Sequence, residues 1–159
     1  MELSELMRRF AEESGISALG PDEKGMYAVL IDNMTVTFRV RPDQNLLETR
    51  APVCAVTEKM RDTICPVMLE SMFLGQATGG SAFILDEEKG EAVLCRTDWL
   101  TLLDVAAFRA MLEKFVNILE EWRNLTDDFA AVVDAVGEHK HDAEQIQARL
   151  RRADGFLRV

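Results

Sequence analysis

Hydrophobic residues at helical spacing dominate the stretch 104–122. Val105, Phe108, Leu112, Phe115, Leu119 and Trp122 recur at alternating steps of three and four, and Arg109, Glu113, Lys114, Asn117, Glu120 and Glu121 fill the other side. The pattern predicts an amphipathic helix capped by Asp104, with no glycine or proline to interrupt it. Such a stripe needs cover. Two alternating stretches just before it, 81–85 and 91–97, read as strands that supply it, joined through 86–90 with Gly90 free to take a left-handed turn position.

The rest of the chain divides by the same two periods. Leu3, Leu6, Met7 and Phe10 share one face of a short first helix, stopped at Gly15. An isolated helix of that length is marginal in water, so it is expected to dock on the body. Residues 17–25 connect, with Gly20-Pro21 as a turn. Residues 26–31 and 34–40 form a strand pair about Asp32-Asn33, residue types that tolerate a left-handed backbone. Met34, Val36, Phe38 and Val40 point one way, and Thr35, Thr37 and Arg39 the other. After a turn at 41–45, residues 46–56 are a third strand, in which Pro52 predicts an edge position or a bulge.

A second helix is expected to open at Asp62 or Thr63, because Pro66 is best tolerated in a first turn. Its apolar residues, Ile64, Cys65, Val67, Met68, Leu69, Met72, Phe73 and Leu74, go almost all the way round the axis. One small domain rarely buries a helix on every side. A second copy in a two-fold dimer is the simplest cover, with Ile64, Val67, Met68, Met72 and Phe73 at the interface. Gly75 to Gly80 lets the chain leave that helix. Beyond Trp122, Phe129, Val132, Val133 and Val136 suggest a further short helix capped by Thr126 or Asp127 and ended by Gly137, followed by a charged stretch. The predicted order is α-β-β-β-α-β-β-α: an α+β domain over 1–124 with an antiparallel, twisted sheet of about five strands, and a helical or partly mobile extension over 125–159.

Composition narrows the function more than any motif does. With 28 acidic against 18 basic residues the chain carries a net charge of -10, which opposes binding to nucleic acid and adsorption to anionic lipid. No apolar run reaches membrane-spanning length and the first ten residues lack a signal-peptide core, so a cytoplasmic protein without membrane insertion is expected. Cys54, Cys65 and Cys95, odd in number and unpaired in spacing, read as reduced, buried thiols.

Candidate chemistry does not accumulate. His139 and His141 sit two apart, which is the wrong spacing to share a helix face around a metal. Cys65 lies close to the predicted start of a helix, but its apolar neighbours suit a structural thiol. The glycines of 75–80 follow a helix and carry no lysine, unlike a phosphate-binding loop. Asp86, Glu87 and Glu88 fall at a hairpin tip open to water, where nothing raises a carboxyl pKa. No catalytic, metal or cofactor-binding residue is assigned, and the chain is read as no enzyme.

Several segments, in order, resemble one family. They are Leu3-Ser4-Glu5-Leu6-Met7-Arg8-Arg9-Phe10, the turn at Ile31-Asp32-Asn33, and Gly79-Gly80 leading into Ala82-Phe83-Ile84-Leu85-Asp86. Gly90-Glu91-Ala92-Val93-Leu94 follows, then Leu102-Leu103-Asp104 through Phe108, Leu112, Phe115 and Trp122. Together these are similar to the small acidic dimeric chaperones of bacterial type III secretion systems, the class I effector chaperones that include the Tir and Yop-effector chaperones. The resemblance spans about residues 1–124, and the segment 125–159 exceeds the compact core of that family.

The resemblance implies a bacterial cytoplasmic homodimer that hydrolyses no ATP. It would hold the extended N-terminal chaperone-binding segment of a secreted effector and keep it soluble and ready for secretion. The candidate client contacts it suggests are Leu6 and Phe10 with Val36, Phe38 and Val40, or the opposite-face neighbours of those strand residues, since half of any alternating set must cover the chain's own core. Two competing expectations remain. One is a small dimeric regulatory or adaptor domain that binds a folded protein. The other is an enzyme whose pocket gathers Cys65 or a histidine with carboxylates.

Overall fold

The structure, a computed structural model, describes residues 2–16, 19–41, 43–75 and 77–135. The element order matches the expectation: α1 (Leu3–Ser14), β1 (Tyr27–Ile31), β2 (Met34–Arg41), β3 (Leu46–Ala55), α2 (Glu58–Ser71), β4 (Ala82–Asp86), β5 (Glu91–Trp99) and α3 (Val105–Ala135). The five strands lie in the order β1-β2-β3-β5-β4. β1 pairs antiparallel with β2 from Tyr27 opposite Phe38 to Ile31 opposite Met34, and β2 pairs antiparallel with β3 from Thr37 opposite Arg50 to Arg41 opposite Leu46.

Local chemistry explains the turns and caps. Asp32 and Asn33 both take positive φ, 43° and 67°, which gives a two-residue hairpin the twist its strands need. Gly15, at φ 67°, turns α1 off, and the amide of Ile16 reaches back to the Ala11 carbonyl at 2.9 Å. Asp104 caps α3 as predicted: its Oδ1 accepts from the Ala107 amide at 2.7 Å, and its carbonyl accepts from the Phe108 amide at 2.9 Å. Gly90 occupies the left-handed position expected of the β4–β5 turn, at φ 64°.

Three expectations are corrected. β3 stands in the middle of the sheet and not at the edge, one of the two places expected from Pro52, and it can do so because Pro52 lies past Arg50, the last residue of β3 paired with β2. α2 begins at Glu58 behind an N-cap at Thr57, leaving Pro66 inside the helix. The carbonyl that loses its partner is that of Asp62, four residues back, and Asp62 is exposed so that water can serve it. α3 runs unbroken to Ala135, and Thr126 opens no new helix. Its hydroxyl donates instead to the carbonyls of Trp122, at 2.9 Å, and Arg123, at 3.0 Å, a bond made within a continuing helix. The extension expected from residue 125 therefore starts as part of α3, while Val136, Gly137, His139, His141 and the charged stretch lie outside the described residues.

The chain divides into two compact units, Met1–Ala51 with Cys95–Val116 and Pro52–Leu94 with Asn117–Val159. In the first, Phe108 meets Phe10 edge-on at 5.1 Å between centroids and Phe38 at 5.4 Å. Leu3, Leu6 and Met7 of α1 and Val36 of β2 are buried in the same unit. The second unit is built around Trp122, whose ring meets Phe83 at 4.7 Å and whose indole N–H donates to the Ala77 carbonyl at 3.4 Å. Ile64, Met68, Leu94 and Leu119 complete its apolar interior.

Candidate partner-binding surfaces

In the first unit the β2–β3 register sorts residues onto two faces. Phe38 stands opposite Thr49 and Val40 opposite Leu47 on the core side, while Arg39 stands opposite Glu48 and Thr37 opposite Arg50 on the other. Alternation alone predicts that Glu48 is solvated. It is fully buried, at 0% exposure, because three arginines close over it. Arg39 Nε donates to Glu48 Oε2 at 2.9 Å, Arg41 Nε to the same oxygen at 3.3 Å, and Arg50 donates through Nε and Nη2 to Oε1. The Cys95 thiol on β5 adds a contact to Oε1 at 3.6 Å.

Burial by itself pushes the Glu48 carboxyl up. The hydrogen bonds from Arg39, Arg50 and Arg41 and the charge of Arg50 outweigh it and hold the group down at about 2. Burial, and next the Glu48 charge, push the Cys95 thiol up, which keeps it protonated and able to donate. The arginine side chains stay partly in water, with Arg39, Arg41 and Arg50 exposed by 46%, 48% and 37%. Leu30 on β1, opposite Thr35, and Trp99 on β5, four residues beyond Cys95, add exposed apolar side chains on the same side of their strands.

The residues suggested as client contacts lie beneath this face. Leu6, Phe10, Val36 and Phe38 are buried in the first unit, and Val40 is half-buried. Phe10 and Phe38 both meet Phe108, and alternation explains why the β2 residues are covered: a strand that has a core must give one of its two faces to it.

The second unit presents a different surface. Met60, Ile64 and Met68 of α2 are buried along its inner stripe, and Val67 and Met72 are half-buried. On the outer side Leu69 is 68% exposed, and Phe73 and Leu74, in the turn Phe73–Gly75 that ends the helix, are each 76% exposed. Of the five residues expected at a dimer interface, Ile64 and Met68 thus face the chain's own interior, and Phe73 faces out. Leu69 and Leu74 share that exposure, and the near-complete apolar ring of α2 is the sequence signal for them. Exposed Glu70 is the one charged residue between Leu69 and Leu74 in the chain.

Chemistry of other kinds does not assemble among the described residues. No group of three or more His, Cys, Asp or Glu side chains is placed to hold a metal. Cys65 sits seven residues into α2, away from its N-terminus. Glu87 is exposed at the hairpin tip and pairs with Arg61. No helix among the described residues is long and apolar enough to cross a membrane.

The family model of the Tir chaperone proteins matches residues 5–123 of this chain. The chain belongs to the Tir chaperone protein (CesT) family. Tir chaperone proteins are type III secretion chaperones and not enzymes. Solved structures agree in fold. A chain of the ExsC–ExsE complex superposes with a TM-score of 0.67 at 24% identity, over 79% of this chain and 96% of that one. The HopA1–SchA chaperone–effector complex gives a TM-score of 0.63 at 16% identity, over 76% and 92%. The Yersinia pestis type III secretion chaperone SycH, in complex with a stable fragment of YscM2, gives 0.57 at 18% identity, over 75% and 98%. No curated protein matches the chain in sequence. The CesT match ends at residue 123, whereas α3 continues to Ala135.

Proposed function

We propose that this CesT-family chain is a homodimeric chaperone of the bacterial cytoplasm that holds the N-terminal chaperone-binding segment of a type III secreted effector in extended form. The family match over residues 5–123 carries the proposal. The likeness in fold to the HopA1–SchA chaperone–effector complex supports it. The chain's own surfaces are compatible with it. β1 stands at one end of the strand order with one side unpaired in the sheet, a place where an extended segment adds as a further strand.

In this reading Leu6, Phe10, Val36 and Phe38 are the buried backing that holds the sheet in shape, and half-buried Val40 is the one of the five within a client's reach. The α2 surface, with Phe73 and half-buried Val67 and Met72 joined by Leu69 and Leu74 and backed by Ile64 and Met68, is where the second copy docks. Native copurification with mass determination tests both parts. Two copies of this chain with one effector, released when the effector's N-terminal segment is deleted, is the expected result. A folded protein bound in place of that segment would transfer the function to an adaptor.

A further inference from the structure

The arginines around Glu48 have more donors than one carboxylate can use. Each guanidinium carries five N–H groups, and a carboxylate offers about four acceptor sites. Three guanidinium groups and one carboxylate leave a local charge of +2 on a chain whose total is -10, and among the described residues these arginines pair with no other carboxylate. Glu48 has none of its own surface exposed, so it acts as a buried post that fans three half-exposed cations outward.

From this geometry we propose that the outer face of β2 and β3 is a docking site for an acidic, extended segment of the partner polypeptide, whose carboxylates are taken by Arg39, Arg41 and Arg50. The inference rests on the partner-binding reading above and names the chemistry of the segment bound. Charge complementarity selects the occupant: on a strongly acidic molecule, this is where an acidic chain is attracted rather than repelled. Spacing fits as well. Arg39 and Arg41 are two residues apart on one strand, about 6.8 Å, the same distance that separates alternate side chains of an extended peptide. Exposed Leu30 and Trp99 on the neighbouring strands offer apolar contact to the residues between or beside the acids. Arginine forks bind carboxylates in two-pronged fashion, so lysine would be a poor substitute.

The test uses the full chain and two rhodamine-labelled peptides of equal length, one alternating Leu with Glu and the other Leu with Gln, followed by fluorescence anisotropy at about 0.05 M and about 0.5 M NaCl. The expected result is that the Glu peptide binds on the order of tenfold more tightly at low salt, and that high salt removes most of the difference. Arg39→Gln with Arg41→Gln should abolish the preference, Arg39→Lys with Arg41→Lys should restore part of it, and Lys24→Gln with Lys89→Gln, an equal charge loss elsewhere, should leave it intact. Thermal melts of each variant report folding, and the salt series on the unaltered chain needs no variant at all.

Equal binding of the two peptides, or equal loss in the Lys24/Lys89 control, overturns the proposal. An oligothymidylate that outcompetes the Glu peptide through the same arginines also overturns it, in favour of a phosphate ligand. An effector recovered by copurification and held equally by the Arg39/Arg41 glutamine variant sinks this inference and leaves the chaperone reading standing. A Glu peptide bound through these arginines by a chain that recovers no effector does the reverse.

Discussion

On β2 and β3 the solvent side is organised by charge: a buried carboxylate and three half-exposed arginines, with the Cys95 thiol of β5 within hydrogen-bonding reach. The outer side of α2 carries no such buried charge cluster, and near its end Leu69, Phe73 and Leu74 stand in water beside exposed Glu70. Both arrangements are costly for a chain alone. Burying Glu48 requires several arginines to compensate its lost hydration, and exposing three large apolar side chains forgoes burial worth about 1.5 kcal/mol or more each. They differ in what relieves them. A charged face is selective and salt-sensitive, suited to discriminating among partners, whereas an apolar one is indifferent to sequence detail and suited to a permanent, self-complementary contact.

The largest effect should come from breaking the apolar side. Leu69→Asp with Phe73→Asp places four carboxylates, counted over both copies, in the proposed interface, and light scattering should report half the mass at micromolar concentration. A variant that keeps the mass of the dimer would assign the α2 surface to some other contact. Next is Glu48→Gln, which leaves three guanidinium groups crowded without their counter-charge. A loss of about 2–3 kcal/mol in urea unfolding is expected, below that of a fully buried ion pair because the arginines are half in water.

Acid should reproduce part of that loss. A carboxyl held down at about 2, against an ordinary 4.5, stabilises the fold fully above the ordinary value and loses that contribution as pH falls from about 4.5 through about 2. Urea midpoints measured down that range should decline less steeply in Glu48→Gln than in the unaltered chain, and parallel curves would mean that Glu48 is not the group responsible. Smallest of all is Arg41→Gln, expected to cost within about 0.5 kcal/mol in the same assay, because Arg41 is half-exposed and makes the longest of the arginine bonds to Glu48. A large cost there would make the cluster a structural device first and a docking site second.

These two surfaces are unequally legible in the sequence. The apolar ring of α2 is plain, since three- and four-residue spacing counts hydrophobic positions directly. Its start is not, because Pro66 suggests the usual first-turn place, and only the exposure of Asp62 shows why the helix tolerates it deeper in. The Glu48 cluster is illegible. Periodicity puts Arg39, Arg41, Glu48 and Arg50 on a solvent face, and nothing local says that Arg39 will stand across from Glu48, since that depends on the register between two strands. Asp104, Gly15, Gly90 and the Asp32-Asn33 turn are all readable, being punctuation whose physics is contained in one or two residues. Thr126 is not, because a hydroxyl that can cap a helix from outside can equally bond backward within one.

Leu74 adds a consequence of its own. Its backbone is left-handed, at φ 56° and ψ 10°, next to Gly75 at φ 66°, and its side chain is among the most exposed apolar groups of the chain. A glycine there would relieve about 1 kcal/mol of steric strain and remove an isobutyl group from water. The lone chain thus bears a strained backbone and a wet leucine at one position, and a second surface laid over the leucine would relieve the apolar half of that burden.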